Sequence, residues 1–179
     1  MKTSLTYGLL MAIAGAVLAI SLYLLGFHSD AAKIGTAQIL GTIGAIVIGS
    51  VCITLGMKAR RAEIPASEPF GYGRALGTGV MIALFASLFG IVTTFAYAKF
   101  VNPGFSEIIV QAEIAKLEAK GLSGAQLEGA EKMIRVMTGP VAQTAGGFIG
   151  GVMFGTLISL VVAAVLKRPA AESAPPVMS

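Results

Sequence analysis

The sequence predicts an all-α membrane protein: a four-transmembrane-helix bundle with an extracytoplasmic amphipathic helical hairpin between helices 3 and 4. Three observations predict it. Only 12% of the 179 residues are charged while 55% are hydrophobic, against roughly 25% charged in a soluble domain. A mean hydropathy of +0.83 makes water a poor solvent for such a chain. The charges also leave four long gaps, each reaching the roughly 20 residues that a helix needs to cross a hydrocarbon core of about 30 Å. One Lys or Asp in mid-span would cost about 2.5–3.5 kcal/mol on insertion scales, and none of the four gaps contains one.

The first span is read over 5–25, between Lys2 and Asp30. Its apolar core exceeds the roughly 7–15 residues of a signal peptide and no small-x-small cleavage site follows, which predicts a retained helix. The lone His28 just beyond it reads as a solvated polar side chain near the membrane boundary. The second span, 34–57, is bracketed by Lys33 and Lys58, and the single cysteine, Cys52, inside it reads as a small hydrophobe. One cysteine and one histidine leave no disulfide and no histidine-based metal cluster, so no cofactor is expected. The loop from Lys58 to Arg74 ends in Phe70-Gly71-Tyr72-Gly73, whose aromatics suit an interfacial belt. No strand precedes those glycines, so they are no nucleotide fingerprint.

The third span, 75–98, runs into Asn102-Pro103-Gly104, a turn in which proline fixes φ and glycine permits reversal. Two amphipathic helices are then predicted across 105–138. Ser106 is expected to cap the first and Gly121 to stop it. Ser123 is expected to cap the second, with Gln126 completing a capping box and Glu128–Lys132 as an i,i+4 pair. The plainer expectation rests this hairpin on the bilayer surface or over the bundle; the sharper one makes it a partner-binding or pore-capping element. The fourth span is read over 141–166, and the residues after Arg168, with Pro169, Pro175 and Pro176, as a disordered tail over 169–179.

Orientation follows from Lys and Arg placement. Lys58, Arg60, Arg61, Arg74, Lys167 and Arg168 lie directly at span ends, whereas most basic residues of the other side alternate with Glu in the long loop. Both termini are therefore expected on the cytoplasmic side of the inner membrane. The net charge of +4 is read as this orienting excess. No nucleic-acid partner is expected.

Helices in lipid associate through close contact of small residues. The fourth span carries Gly147, Gly151 and Gly155, with Gly146 and Gly150 as an adjacent ridge. The second has Gly41, Gly44 and Gly49, the third Gly79, Ala83 and Ser87, and the first Ala12, Gly15, Ala16 and Ala19. Packing within the bundle can consume these faces; a homodimer through the fourth helix is the sharper possibility, and an unlike membrane protein the other candidate partner beside the bilayer itself. The spans offer hydroxyls and amides but no ionisable group, which argues against a proton-coupled pump. The nine acidic residues fall in loops or tails without a histidine partner, so no catalysis is expected. A non-enzymatic bundle acting through a partner or its own oligomer is the leading expectation. A small transporter or channel for a solute or lipid is the rival, and a polar-lined cavity between the spans would favour it.

The order of features resembles a bacterial membrane family catalogued as domain of unknown function 4199 (DUF4199). The resemblance is carried by the opening Met1-Lys2-Thr3-Ser4-Leu5-Thr6-Tyr7-Gly8, by Phe70-Gly71-Tyr72-Gly73-Arg74-Ala75-Leu76-Gly77-Thr78-Gly79, by Ala98-Lys99-Phe100-Val101-Asn102-Pro103-Gly104-Phe105, and by a glycine-rich last span ending in Val165-Leu166-Lys167-Arg168. It implies a four-helix bundle and carries no activity, ligand or catalytic residue.

Overall fold

A computed structural model describes residues 1–169; the expected disordered tail lies, apart from Pro169, outside them. Six helices form: α1 (Lys2–Leu24), α2 (Ile34–Ala62), α3 (Tyr72–Ala96), α4 (Phe105–Ala119), α5 (Gly124–Met137) and α6 (Pro140–Leu166). Four segments, Lys2–Leu24, Ala31–Ala62, Tyr72–Val101 and Pro140–Leu166, are long and apolar enough to cross a membrane. α2 overruns its predicted end, because Lys58, Arg60 and Arg61 continue the helix beyond the apolar stretch. Charge marks the edge of the hydrocarbon, whereas a helix stops where its backbone bonds are capped.

The helix ends have identifiable causes. After α1, Gly26 adopts φ +80, its N–H bonding Tyr23 O and that of Phe27 bonding Leu22 O. This Schellman pair recurs after α4, where Gly121 (φ +87) bonds Glu118 O and Leu122 bonds Leu117 O. Gly121 thus ends α4 as expected. Ser106, expected to cap α4, instead lies inside it: the helix begins one residue sooner, after Gly104. Ser123 does precede α5, but its side chain makes no capping bond. α3 closes through a single π-helical turn, Tyr97–Val101, whose last bond runs from Asn102 N–H to Tyr97 O. The residue before a proline avoids the helical region, and Asn102, at φ −138 and ψ 76 ahead of Pro103, leaves it there.

Around the bundle the neighbours run α1, α3, α6, α2, with α3 packing most extensively on α6 and α1. The ends holding Met1 and Arg168 lie together: Thr3 Oγ1 donates to the Glu63 carboxylate, and Arg168 N–H reaches Phe70 O at 2.8 Å. At this terminal end Ile53, Met57, Phe70, Ala75, Ile82 and Ala163 are fully buried. Phe70 is therefore a core plug and leaves only Tyr72, 39% exposed, to an aromatic belt. At the opposite end α4 covers the start of α2, burying Val110 and Ala112 on its side and Ile34 and Ala37 on the other. α5 buries no residue and leaves Met133, Val136 and Met137 exposed.

Candidate functional site

The seam between α3 and α6 is built of small residues at every fourth position. A Cβ on Gly79 would collide with Ser159, one on Gly155 with the Ala83 Cβ, and one on Gly151 with Ser87 Oγ at 2.6 Å. Three successive rungs therefore bring the backbones together as closely as glycine allows. At the next rung the seam opens. Gly147 has nothing within 4 Å of where its Cβ would sit, and the same holds for Gly90 across from it.

Beyond that rung the half of the bundle away from the termini contains a branched cleft. One lobe, about 520 Å³, lies between α1 and α2 and is roofed by Phe105 and Ile109 of α4. A second, about 640 Å³, extends between α1 and α3 to Gly147, and a third, about 200 Å³, separates α3 from α6. Gly15, Ala19, Ala45, His28 and Phe105 border both larger lobes. No Lys, Arg, Asp or Glu lines any of the three; the polar groups are His28, Gln38, Thr42, Ser87, Thr93, Thr94, Tyr97, Gln143 and Thr144. The volumes of the larger two fall in the roughly 300–1,000 Å³ range of ligand pockets.

A polar knot stands at the end of this cleft farther from the termini. His28, only 8% exposed, shares a 2.7 Å hydrogen bond between its Nδ1 and Tyr97 Oη. Asn102 Nδ2 donates to His28 O at 2.9 Å and to Tyr97 Oη at 3.4 Å. Phe105 packs on the imidazole with ring centres 4.6 Å apart, and Tyr23 and Phe105 meet Tyr97 edge to face. The π-turn makes this possible by carrying Tyr97 and Asn102 to the same place at its two ends. Burial holds the imidazole below its ordinary pKa and so neutral. His28 is thus buried and bonded, contrary to the solvated side chain expected, because the loop after α1 folds back under α4.

The glycines expected at helix contacts divide between the two halves. Gly79, Gly151 and Gly155 form the seam, and Gly44 abuts Leu18. Gly41 lies at ordinary contact distance, 3.9 Å, from Leu22 and borders the cleft, while Gly147 only borders it. Two close-contact glycines escaped the sequence reading: Gly8, whose Cβ would sit 2.6 Å from that of Phe85, and Gly56, against Ile82 and Tyr7. Gly8 belongs to a ridge of small residues, Ser4, Gly8 and Ala12, all buried, whose spacing carried the signal, whereas Gly56, between Cys52 and Arg60, stands in no such ridge.

The basic residues expected to orient the chain gather at the terminal end. Lys58 and Lys167 are exposed. Arg60 pairs with Glu63 at 2.6 Å and Arg74 with Glu68 at 3.2 Å. Arg61 and Arg168 also tie the end shut: Arg61 Nη1 reaches Leu166 O at 3.5 Å, and Arg168 Nη2 donates to Ile64 O, Pro65 O and Glu68 O. On the hairpin, Arg135 binds Glu107 with both amino groups (2.6 and 3.1 Å) and Glu131 through Nε. Lys116 pairs with Glu113. The expected Glu128–Lys132 pair is absent from the ion pairs among the described residues.

A family model described as "Protein of unknown function (DUF4199)" matches residues 6–168. The chain belongs to this family. The DUF4199 match begins in α1 and ends on Arg168, so the seam, the cleft, the hairpin and the terminal clamp all lie within the family's domain. Neither a curated protein nor a solved structure matches the chain.

Proposed function

We propose that this protein is a non-enzymatic membrane bundle that acts by holding a hydrophobic membrane component in its open half. The observation that supports the reading is the contrast between the two ends. Side chains are fully buried across the terminal end, and the cleft that opens beyond Gly147 carries no charged residue. A conduit needs a hydrated path through both ends, and a catalytic cleft needs ionisable groups converging on it. A transporter remains the second reading, because Gln38, Thr42, Thr94, Gln143 and Thr144 give the cleft a polar strip that alternating access could use. It would require the Arg61 and Arg168 contacts to release.

In this reading both termini face the cytoplasm and the bilayer is the cytoplasmic membrane, with the α4–α5 hairpin on the far side. Lys2 joins Lys58, Arg60, Arg61, Arg74, Lys167 and Arg168 at the terminal end, as the positive-inside rule asks. The exposed apolar face of α5 then rests on the outer interface. Any homodimer forms through the outward Gly146–Gly150 ridge, since Gly151 and Gly155 are occupied inside.

Solute efflux from proteoliposomes tests the reading. Efflux equal to that of empty vesicles is expected for ions and small polar solutes; faster efflux overturns it in favour of the transporter. Orientation is tested in a Cys52→Ser background. Lys120→Cys should react with an impermeant maleimide in intact cells and Ser67→Cys only after permeabilisation; both positions are exposed. The reverse pattern inverts the topology.

A further inference from the structure

The character of the cleft's occupant can be read from the hydrogen-bond polarity of the knot at its end. Asn102 Nδ2 can only donate, and its bond to His28 O fixes which end of the amide is nitrogen. It therefore donates to Tyr97 Oη as well. Placing the single hydroxyl hydrogen of Tyr97 on its other partner, His28 Nδ1, is the arrangement that leaves no hydroxyl hydrogen of the knot idle. With Nδ1 accepting, a neutral imidazole carries its hydrogen on Nε2. Nε2 has no hydrogen-bond partner among the described residues, yet His28 is more than nine-tenths buried and borders both large lobes. The ring is buried but its Nε2 atom is still accessible, since Arg168 Nε is the one fully buried unpaired side-chain nitrogen among the described residues; an acceptor lying in the cleft can therefore take the Nε2 hydrogen.

The rest of the lining narrows what brings that acceptor. No cation faces the cleft, so a phosphate headgroup would enter without a counter-charge. Gly15, Leu18 and Ala19 of α1 face Ala45 and Ile48 of α2 and suit a hydrocarbon chain, while Gln38 and Thr42 are the other polar residues of that lobe. Gly15 has nothing within 4 Å of its Cβ position, so its smoothness serves no helix contact and instead widens the lobe. We propose that the cleft binds an uncharged lipid with a carbonyl oxygen at its head, the oxygen accepting from His28 Nε2–H and the chain lying along Gly15 and Ala19 between α1 and α2. Carbonyl-headed lipids of this kind include prenylated quinones and acylglycerols, which share the acceptor and the chain. The inference rests on the reading of a non-conducting bundle with a hydrophobic occupant.

The experiment is native mass spectrometry of the protein released from phosphatidylcholine nanodiscs doped with a prenylbenzoquinone in one series and a monoacylglycerol in the other. Wild type should retain at least one doped lipid in preference to phosphatidylcholine, and which series shows retention decides the source. His28→Phe removes the donor while keeping an aromatic ring and should weaken retention about tenfold, the worth of one hydrogen bond of about 1.4 kcal/mol. Gly15→Leu fills open space and should abolish retention with helicity and thermal stability intact. It keeps the test valid if His28→Phe folds poorly. The imidazole nitrogen shifts give an independent readout: Nε2–H, Nδ1 bare in the free protein, with Nε2 alone moving on binding. Retention of phosphatidylcholine only, or retention unchanged by Gly15→Leu, overturns the proposal. Solute efflux would overturn the underlying reading whether or not a lipid is retained, so the two failures are distinguishable.

Discussion

Gly155 and Gly147 are the same residue type, two turns apart on one helix ridge, yet they answer to different constraints. A methyl on Gly155 would meet the Ala83 methyl, and neither has a flexible end that can swing aside. The helices would have to part, and overpacking of this kind costs about 1–3 kcal/mol. A methyl on Gly147 meets nothing, so relief of glycine's backbone entropy, about 0.5–1 kcal/mol, should dominate. Gly155→Ala is accordingly expected to lower the thermal unfolding midpoint in detergent, and Gly147→Ala to leave it unchanged or raise it. Equal effects would mean that α6 shifts freely against α3. His28 supplies a second residue-level prediction, on pH. Its pKa is depressed in the folded state, so the unfolded chain binds the extra proton first. The stability it contributes is complete above the ordinary histidine pKa, near 6.5, and is lost as pH falls from there through the lower folded value. Tyr97 is the titratable group bonded to the ring, while Asp30 is engaged with Ala32 N–H and Lys33. Unfolding midpoints between pH 8 and pH 5 should therefore fall more in wild type than in His28→Phe, and parallel curves would remove His28 as the cause.

At the scale of elements, the hairpin is held by charge where the spans are held by shape. Arg135 on α5 reaches back to Glu107 at the start of α4, and its guanidinium holds that carboxyl below the usual carboxylate range. Both partners are about half exposed, so salt should weaken the link. The depressed carboxyl makes the link complete above the ordinary glutamate pKa and lost as pH falls through the lower folded value. Hydrogen exchange at α5 amides should rise in molar salt, at low pH and in Arg135→Gln, with α3 amides unaffected; exchange indifferent to all three would leave apolar contact as the tie. The elements themselves were legible in the sequence, because gaps between charges mark spans and Gly121 marks a reversal. The seam was legible as well: Gly79, Ala83 and Ser87 on one helix and Gly151 and Gly155 on another were both visible as small-residue ridges. What spacing could not show is that these two ridges face each other, or that the register parts at Gly147. The knot of His28, Tyr97 and Asn102 was out of reach for the same reason, since about 70 residues separate its first and second members and only the packing of α3 beside α1 joins them.

For the whole molecule, the decisive feature is that packing is concentrated at one end. The terminal end combines fully buried Ile53, Met57, Ile82 and Ala163 with the Arg168 contacts to Ile64, Pro65 and Glu68, so each helix there is fixed by neighbours on several sides. The open end has the cleft on its inner side and exposed apolar residues on its outer side, among them Ile39, Val141 and Ile149. Regions with few buried contacts open at low free-energy cost, and in lipid no hydrophobic drive pulls the parted helices together. The two ends should therefore differ in mobility although the helices are continuous. Paired spin labels in a Cys52→Ser background measure this directly. Lys58→Cys with Val165→Cys reports on the separation of α2 and α6 at the terminal end, and Ile39→Cys with Val141→Cys on the same two helices at the open end; all four sites are exposed. The first pair should give a narrow distance distribution, insensitive to added lipid. The second should give a broad one that sharpens when the cleft is filled, either by a bound carbonyl lipid or by Gly15→Leu. Narrow distributions at both ends would make the cleft a rigid preformed slot, and broad distributions at both would mean that the Arg61 and Arg168 contacts do not lock the terminal end, which is the condition a transporter needs.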